Sequence, residues 1–320
     1  MKNTKSIISL AYALAFLTSF SLAQALTISP VKMDLEGAPG QTIQGEIELY
    51  NEQSDTKLFY ASYENFEPSG DSGSPHFVGG GSGLATWVST EPSVTLLPDE
   101  RKKIPFTITI PEDAEAGGYF AGVFFGGQKP VDQGSGEVAI GGKLGVLMLL
   151  RVAGDIDENG GLLSFMASGG RIFSQLPIAF SYKFNNEGGD RVVPLGDIVL
   201  TNTIGMTAAT IPANVNGGSI LPSSARTFTS TWNADGELAS DAGFFDTVQY
   251  QFKNLHIGWY TARLSITWGM ENNISTARYD FLIFPWQLVL AIVILGALGV
   301  VVLKQYNKMI VARARNARGS

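Results

Sequence analysis

From Leu26 to Asp280 apolar residues recur at every second position in short runs. Gly, Pro, Asn or Asp breaks these runs roughly every ten residues. Ile43, Gly45, Ile47 and Leu49 alternate with polar neighbours in one run, and Ile178, Phe180, Tyr182 and Phe184 in another. Residues two apart share one face of a strand, so each run has an inward apolar face and an outward polar one. Almost no helical period accompanies these strands. The pattern specifies an all-β chain of antiparallel sandwiches.

Two stretches repeat. "TLLPDERKKIPF" (Thr95–Phe106) is echoed by "SILPSSARTF" (Ser219–Phe228), and "GGYFAGVFF" (Gly117–Phe125) by "GWYTARLSI" (Gly258–Ile266). In each pair Leu-Pro opens a strand that carries an arginine on a solvent-exposed edge. A Gly-aromatic start then opens a core strand. The reading is two tandem immunoglobulin-like sandwiches, residues 26–168 and 169–280. Two copies are too few for a solenoid. After two glycines, Tyr119 heads a strand, the position at which sandwich folds tie a tyrosine hydroxyl to nearby backbone. The competing reading is an ordinary core aromatic. "PSGDSGSPHFVGGGSGLA" reads as an exposed low-complexity loop that folding does not need. "NADGELASDAGFFDTVQYQFKNL" is an insertion with no counterpart in the first repeat.

The ends differ in kind. Lys2 and Lys5, an apolar run from Ile7 to Leu22 and Ala23-Gln24-Ala25 form a secretory signal, residues 1–25, with cleavage expected after Ala25. Residues 281–303 hold no charge and are long enough to cross a bilayer. The tail, residues 304–320, carries Lys304, Lys308, Arg313, Arg315 and Arg318 and no acid, which places it in the cytoplasm. This is a single-pass type I layout at the cell membrane, with the bulk of the chain extracytoplasmic. No Leu-Pro-x-Thr-Gly precedes the helix, so the helix is expected to stay as the anchor, contacting the lipid bilayer. All 29 acids lie in the exterior part, against fifteen Lys and Arg once the two N-terminal and five tail cations are set aside, a balance of −14. Such an exterior does not suit nucleic acid, which needs a basic face.

Candidate chemistry is sparse. The chain has no Cys and two His, His76 and His256. Neither has the further His or Cys that a zinc site requires. Asp155, Asp157, Asn159, Gly160 and Leu162 match the first part of a Ca²⁺ loop, but Met166 stands where the bidentate Glu belongs. The competing reading is a hairpin turn rich in Asp, Asn and Gly. No catalytic, cofactor-binding or metal residue is assigned, no cofactor is expected, and the chain reads as a non-enzyme. Trp87, beside the Gly/Ser loop, is a candidate aromatic face for a glycan, with core packing as the alternative.

"ISPVKMDLEGAPGQTIQGEIELYN" and "WVSTEPSVTLLPDERKKIPFTITIPEDAEAGGYFAGVFFG" resemble the N-terminal domain of the WxL-interacting proteins of bacterial surfaces. "FSYKFNNEGGDRVVPLGDIVLTN" with "ILPSSARTF" is similar to that family's membrane-proximal domain. The resemblance implies sandwiches distantly like those of pilus chaperones, and peptidoglycan binding by the first, with no ligand residue assigned. The expectation is a membrane-anchored surface protein binding peptidoglycan or a partner surface protein. The alternative is an accessory or chaperone-like subunit of a secretion, pilus-like or surface assembly.

Overall fold

The computed structural model describes residues 26–129 and 142–318, with side chains through Ile310. The expected signal segment, residues 1–25, lies outside the described residues. The chain divides into two compact units, residues up to Glu67 with His76–Asp155, and Pro68–Pro75 with residues from Ile156 onward.

The first unit contains β1 (Leu26–Ser29), β2 (Lys32–Gly37), β3 (Thr42–Asn51), β4 (Lys57–Ser69), β5 (Ser74–Gly79), α1 (Leu84–Trp87), β6 (Val88–Thr90), β7 (Ser93–Leu96), β8 (Arg101–Thr109), β9 (Gly117–Gly126) and β10 (Lys143–Val152). One sheet runs β1-β3-β8-β6. The other runs β2-β10-β9-β4-β5, with β7 also on β4. β2 pairs parallel with β10, so the chain changes sheet between Ser29 and Lys32. Alternate residues fill the space between the sheets: Ile47 and Leu49 from β3, Ile104 and Ile108 from β8, Val123 and Phe125 from β9, all fully buried. Each such side chain contributes about 1.5–3 kcal/mol by leaving water.

The second unit continues with β11 (Gly160–Ala167), β12 (Ile172–Phe173), β13 (Ile178–Asn186), β14 (Leu195–Asn202), β15 (Thr207–Pro212), β16 (Ser224–Trp232), α2 (Phe244–Lys253), β17 (Gly258–Trp268), β18 (Asn273–Ile283) and α3 (Trp286–Arg318). Its sheets are β11-β13-β16 and β12-β18-β17-β14-β15. β12 pairs parallel with β18 just as β2 does with β10. Phe180, Tyr182, Phe184, Ile198, Leu264 and Phe281 are central to its core. The fold is two tandem immunoglobulin-type sandwiches followed by one long apolar helix.

Four expectations change. The boundary at residue 168 moves to Asp155/Ile156, because β11 pairs with β13 from Gly160↔Asn186 to Ala167↔Phe180. Periodicity shows that a strand exists but not which sheet it joins. The supposed loop "PSGDSGSPHFVGGGSGLA" holds the end of β4, all of β5 and the start of α1, with Leu84 and Ala85 buried. The membrane segment placed at 281–303 begins later. Phe281 and Ile283 are buried residues of β18, Phe281 packing on Phe180 at 5.4 Å between ring centroids, and helix starts at Trp286. An apolar strand feeding an apolar helix reads as one uncharged run. Finally, Arg101 is exposed as expected, but Arg226 is half-buried and donates from Nη1 to the Ser219 carbonyl at 2.8 Å.

Candidate functional site

The echoes between the halves have a shared structural cause. Asn51 ends β3 and is fully buried. Its Nδ2 donates to the carbonyls of Asp55 (3.0 Å) and Leu97 (3.0 Å), and its Oδ1 accepts from the Gln53 N–H at 3.1 Å. Asn186 ends β13, equally buried. It donates to Asp190 (2.8 Å) and Ile220 (3.0 Å) and accepts from the Gly188 N–H at 3.0 Å. One carbonyl in each set lies just before a Leu-Pro pair, Ile220 before Leu221-Pro222 and Leu96, which also accepts from Asn51 Nδ2 at 3.3 Å, before Leu97-Pro98. After each proline the backbone turns left-handed, at Asp99 (φ 56°) and Ser223 (φ 54°). Pro followed by positive φ is the geometry of a type II turn. Sequence reasoning did not single out either asparagine. The signal was present as "NEQSD" at Asn51–Asp55 and "NEGGD" at Asn186–Asp190.

Tyr119 is a tyrosine corner, its hydroxyl donating to the Glu115 carbonyl at 3.1 Å. In the second unit Tyr260 holds the same place in its strand, and its hydroxyl lies 3.3 Å from His256 Nδ1. Burial raises the pKa of both phenols and lowers that of His256, whose ring lies 4.7 Å from Trp232. His256 thus belongs to the aromatic packing of its sandwich. His76 is exposed on β5.

The Ca²⁺-like loop is used for bracing. The Glu158 carboxylate accepts from the Met270 N–H at 2.7 Å, tying down the β17–β18 turn, and the Asp157 carbonyl accepts from the Gly189 N–H at 2.9 Å. Met166 lies on β11. Among the described residues, no group of three or more His, Cys, Asp and Glu is placed to share a metal ion. Trp87 is half-buried against the first core, 4.5 Å from the Tyr119 ring, which favours the packing alternative.

A different aromatic set stands out. On the outer face of the first unit's larger sheet, Phe77 packs edge-on against Phe124 (4.9 Å) and Phe66 (5.9 Å), and Phe66 against Phe120 (5.9 Å). Phe66 and Phe124 are buried, while Phe77 and Phe120 are half-exposed. None of the four belongs to the core between the sheets. Glycine makes the arrangement possible. A Cβ at Gly122 or Gly145 would collide with the Phe124 ring. Lys143 sits 4.5 Å over that ring and pairs with Glu64, giving the face a charged rim. Such a face can stack on the apolar side of a sugar ring or receive an apolar side chain of a protein.

No family model and no curated protein matches this chain. Solved structures similar to it include a class 5 fimbriae chaperone, CfaA, at 14% identity over 81% of this chain and 99% of that one, with a TM-score of 0.38. The E. coli chaperone DraB is 12% identical over 81% and 97%, with a TM-score of 0.34. The CupB2 chaperone of Pseudomonas aeruginosa is 9% identical over 80% and 100%, with a TM-score of 0.35.

Proposed function

We propose that the chain is a non-enzymatic, membrane-anchored binding protein. In this reading α3 crosses the bilayer, and the first sandwich engages a partner surface protein or cell-wall glycan through the Phe66–Phe77–Phe120–Phe124 face. The observation that carries the reading is the aromatic outer face itself. A sandwich sheet needs only its inner face to be apolar, and here that face is filled by the core. A second apolar face calls for a partner. The anchor is supported by Trp286–Ile310, a helix of 25 residues long and apolar enough to cross a membrane. The five tail cations favour a cytoplasmic C-terminus. The resemblance to the WxL-interacting proteins adds peptidoglycan as the expected glycan, and the charged rim of Lys143 and Glu64 suits its polar substituents.

The full chain in nanodiscs should co-sediment with insoluble peptidoglycan, or capture a surface protein on cross-linking. Phe77→Ser should weaken whichever interaction is found. Binding that Phe77→Ser leaves unchanged would remove the aromatic face from the reading.

One observation favours a second reading, a chaperone-like or assembly-accessory role through strand addition. β5 is a sheet edge whose stretch Ser74–Gly79 has no Lys, Arg, Asp or Glu. The opposite edge, β2, is defended by Lys32, Asp34 and Glu36. A client strand added to β5 would be held by backbone hydrogen bonds. Its mark is slower hydrogen exchange of β5 amides on partner binding. Unchanged exchange in β5 leaves binding by the aromatic face.

A further inference from the structure

We infer that the end of the second sandwich nearest α3 is seated in the lipid headgroup layer, with α2 lying on the bilayer as an interfacial helix. This rests on the reading that α3 spans a membrane, and it adds a lipid-contact surface outside the span.

The junction limits the distance. The last residue of β18 is Ile283 and the first of α3 is Trp286, three steps along the chain and so at most about 10 Å. The interfacial zone on each side of the hydrocarbon is about 5–7 Å thick. A sandwich tethered this closely cannot stand clear of the headgroups.

The link is also braced. Gln251 of α2 is only 1% exposed. Its Oε1 accepts from the Leu288 N–H at 3.0 Å, satisfying one of the free N–H groups in the first turn of α3. Its Nε2 donates to Gln287 Oε1 at 2.7 Å. The Phe244 ring lies 6.4 Å from that of Trp286. α2 and the start of α3 are therefore joined.

On its other side α2 shows two large apolar rings beside the exposed Gln249. Thr247, Tyr250 and Gln251 are its buried residues. At 3.6 residues per turn, Phe245 and Phe252 fall within about 20° of one another, on the side opposite the buried one. Phe245 is 82% exposed and Phe252 71%. The segment that follows adds Ile257 (55%) and Trp259 (57%). Trp259 pairs with Leu282, at the same end of the sheet. The β14–β15 turn adds Ile204 (77%) and Met206 (61%), and the Thr203 hydroxyl holds this turn beside Trp259 by donating to its carbonyl at 3.0 Å. Three separate segments thus place large apolar side chains in solvent around the root of one apolar helix. Water is a poor neighbour for such a ring, whereas the headgroup layer accepts aromatic and aliphatic side chains to a depth of about 5–10 Å. Asp246 and Lys253 of α2 offset one another in charge, so anionic lipid is not required.

The chain has no cysteine, so single labels are clean. Phe252→Cys, Ile204→Cys, Ser265→Cys and Ile294→Cys would each carry an environment-sensitive fluorophore in the full chain, reconstituted in phosphatidylcholine nanodiscs. Nitroxide lipids labelled near the headgroup or deep in the chain would serve as quenchers. Ser265 is an exposed β17 residue toward the far end of the strand. Labels at 252 and 204 should be blue-shifted and quenched by the shallow nitroxide, 265 by neither, and 294 by the deep one. Deep quenching at 294 with none at 252 and 204 would overturn the inference and leave the anchor standing. No quenching at 294 would overturn both. Equal quenching at 265 would mean the sandwich lies down nonspecifically, which also overturns it.

Discussion

Each of the three side-chain hydrogen bonds of Asn186 in the second sandwich has a counterpart at Asn51 in the first, where Leu97 accepts one more. Each donates to the carbonyl four residues ahead and to a carbonyl beside a Leu-Pro turn, and each accepts from the N–H two residues ahead. The amide substitutes for backbone pairing where the strand ends and two loops meet.

Asn51→Ala and Asn186→Ala should therefore each cost about 3 kcal/mol, because truncation strands several buried backbone groups at once. Thermal unfolding gives the size of the loss, and hydrogen exchange should place it in the unit carrying the change. A loss under about 0.5 kcal/mol, the level of an ordinary surface substitution, would show that water replaces the amide.

Tyr119→Phe should cost about 1 kcal/mol, the net worth of a single hydrogen bond, here that to Glu115. Chemical denaturation of the two proteins side by side measures it. A neutral result would mean that the ring alone holds the corner.

Tyr182→Phe should have the opposite sign. The Tyr182 ring stacks on Phe228 at 5.0 Å, but its buried hydroxyl has no hydrogen-bond partner, and burial pushes its pKa well up. Removing the oxygen should be neutral or stabilise by up to about 1 kcal/mol. A drop in melting temperature would count against this account.

Deleting residues 69–82 should destabilise the first sandwich by at least about 2 kcal/mol. The deletion removes β5 and Phe77, and with them the hydrogen bond from Asn65 Nδ2 to the Ser82 carbonyl at 2.6 Å. An unchanged melting temperature would restore the reading of this segment as a dispensable loop.

Stability should also fall with pH through His256. Burial lowers its folded pKa below the ordinary value of 6.5. The unfolded chain therefore binds more protons in the window from 6.5 down to the folded pKa, and stability is lost across that window on acidification. Asp280 acts lower. Hydrogen bonds from Thr261 and Arg278 depress its pKa below 3.8, so its contribution disappears only in stronger acid. His256→Gln should flatten the melting-temperature profile just below pH 6.5 while leaving the acid limb. A profile unaltered by the substitution would sink this assignment.

Much of the architecture was legible because β-sandwiches write their burial in period two. Ile47, Leu49, Phe180 and Phe184 were placed inward from alternation alone, and they are core residues. The repeat was legible through Leu-Pro and Gly-aromatic pairs, since a turn geometry restricts residue type locally. Tyr119 was legible for the same reason. The aromatic outer face was not. Phe120 and Phe124 were read only as part of a core strand, and what separates an outward phenylalanine from an inward one is the register of β9 between β4 and β10.

The sequence alone determined the local and the periodic: an all-β body, two sandwiches in tandem, a long apolar helix after them, and an acidic stretch before that helix with a basic tail after it. These follow from side-chain spacing and charge, which act over a few residues. Tertiary structure decided where the long-range pairings fall. It put β11 with β13, kept Phe281 in the core rather than in the helix, made β5 from a Gly/Ser-rich stretch, and folded the insertion into α2 beside the root of α3. Each of these depends on which distant surface a segment buries against, and the free energy of that burial belongs to the pair of surfaces rather than to either stretch of chain.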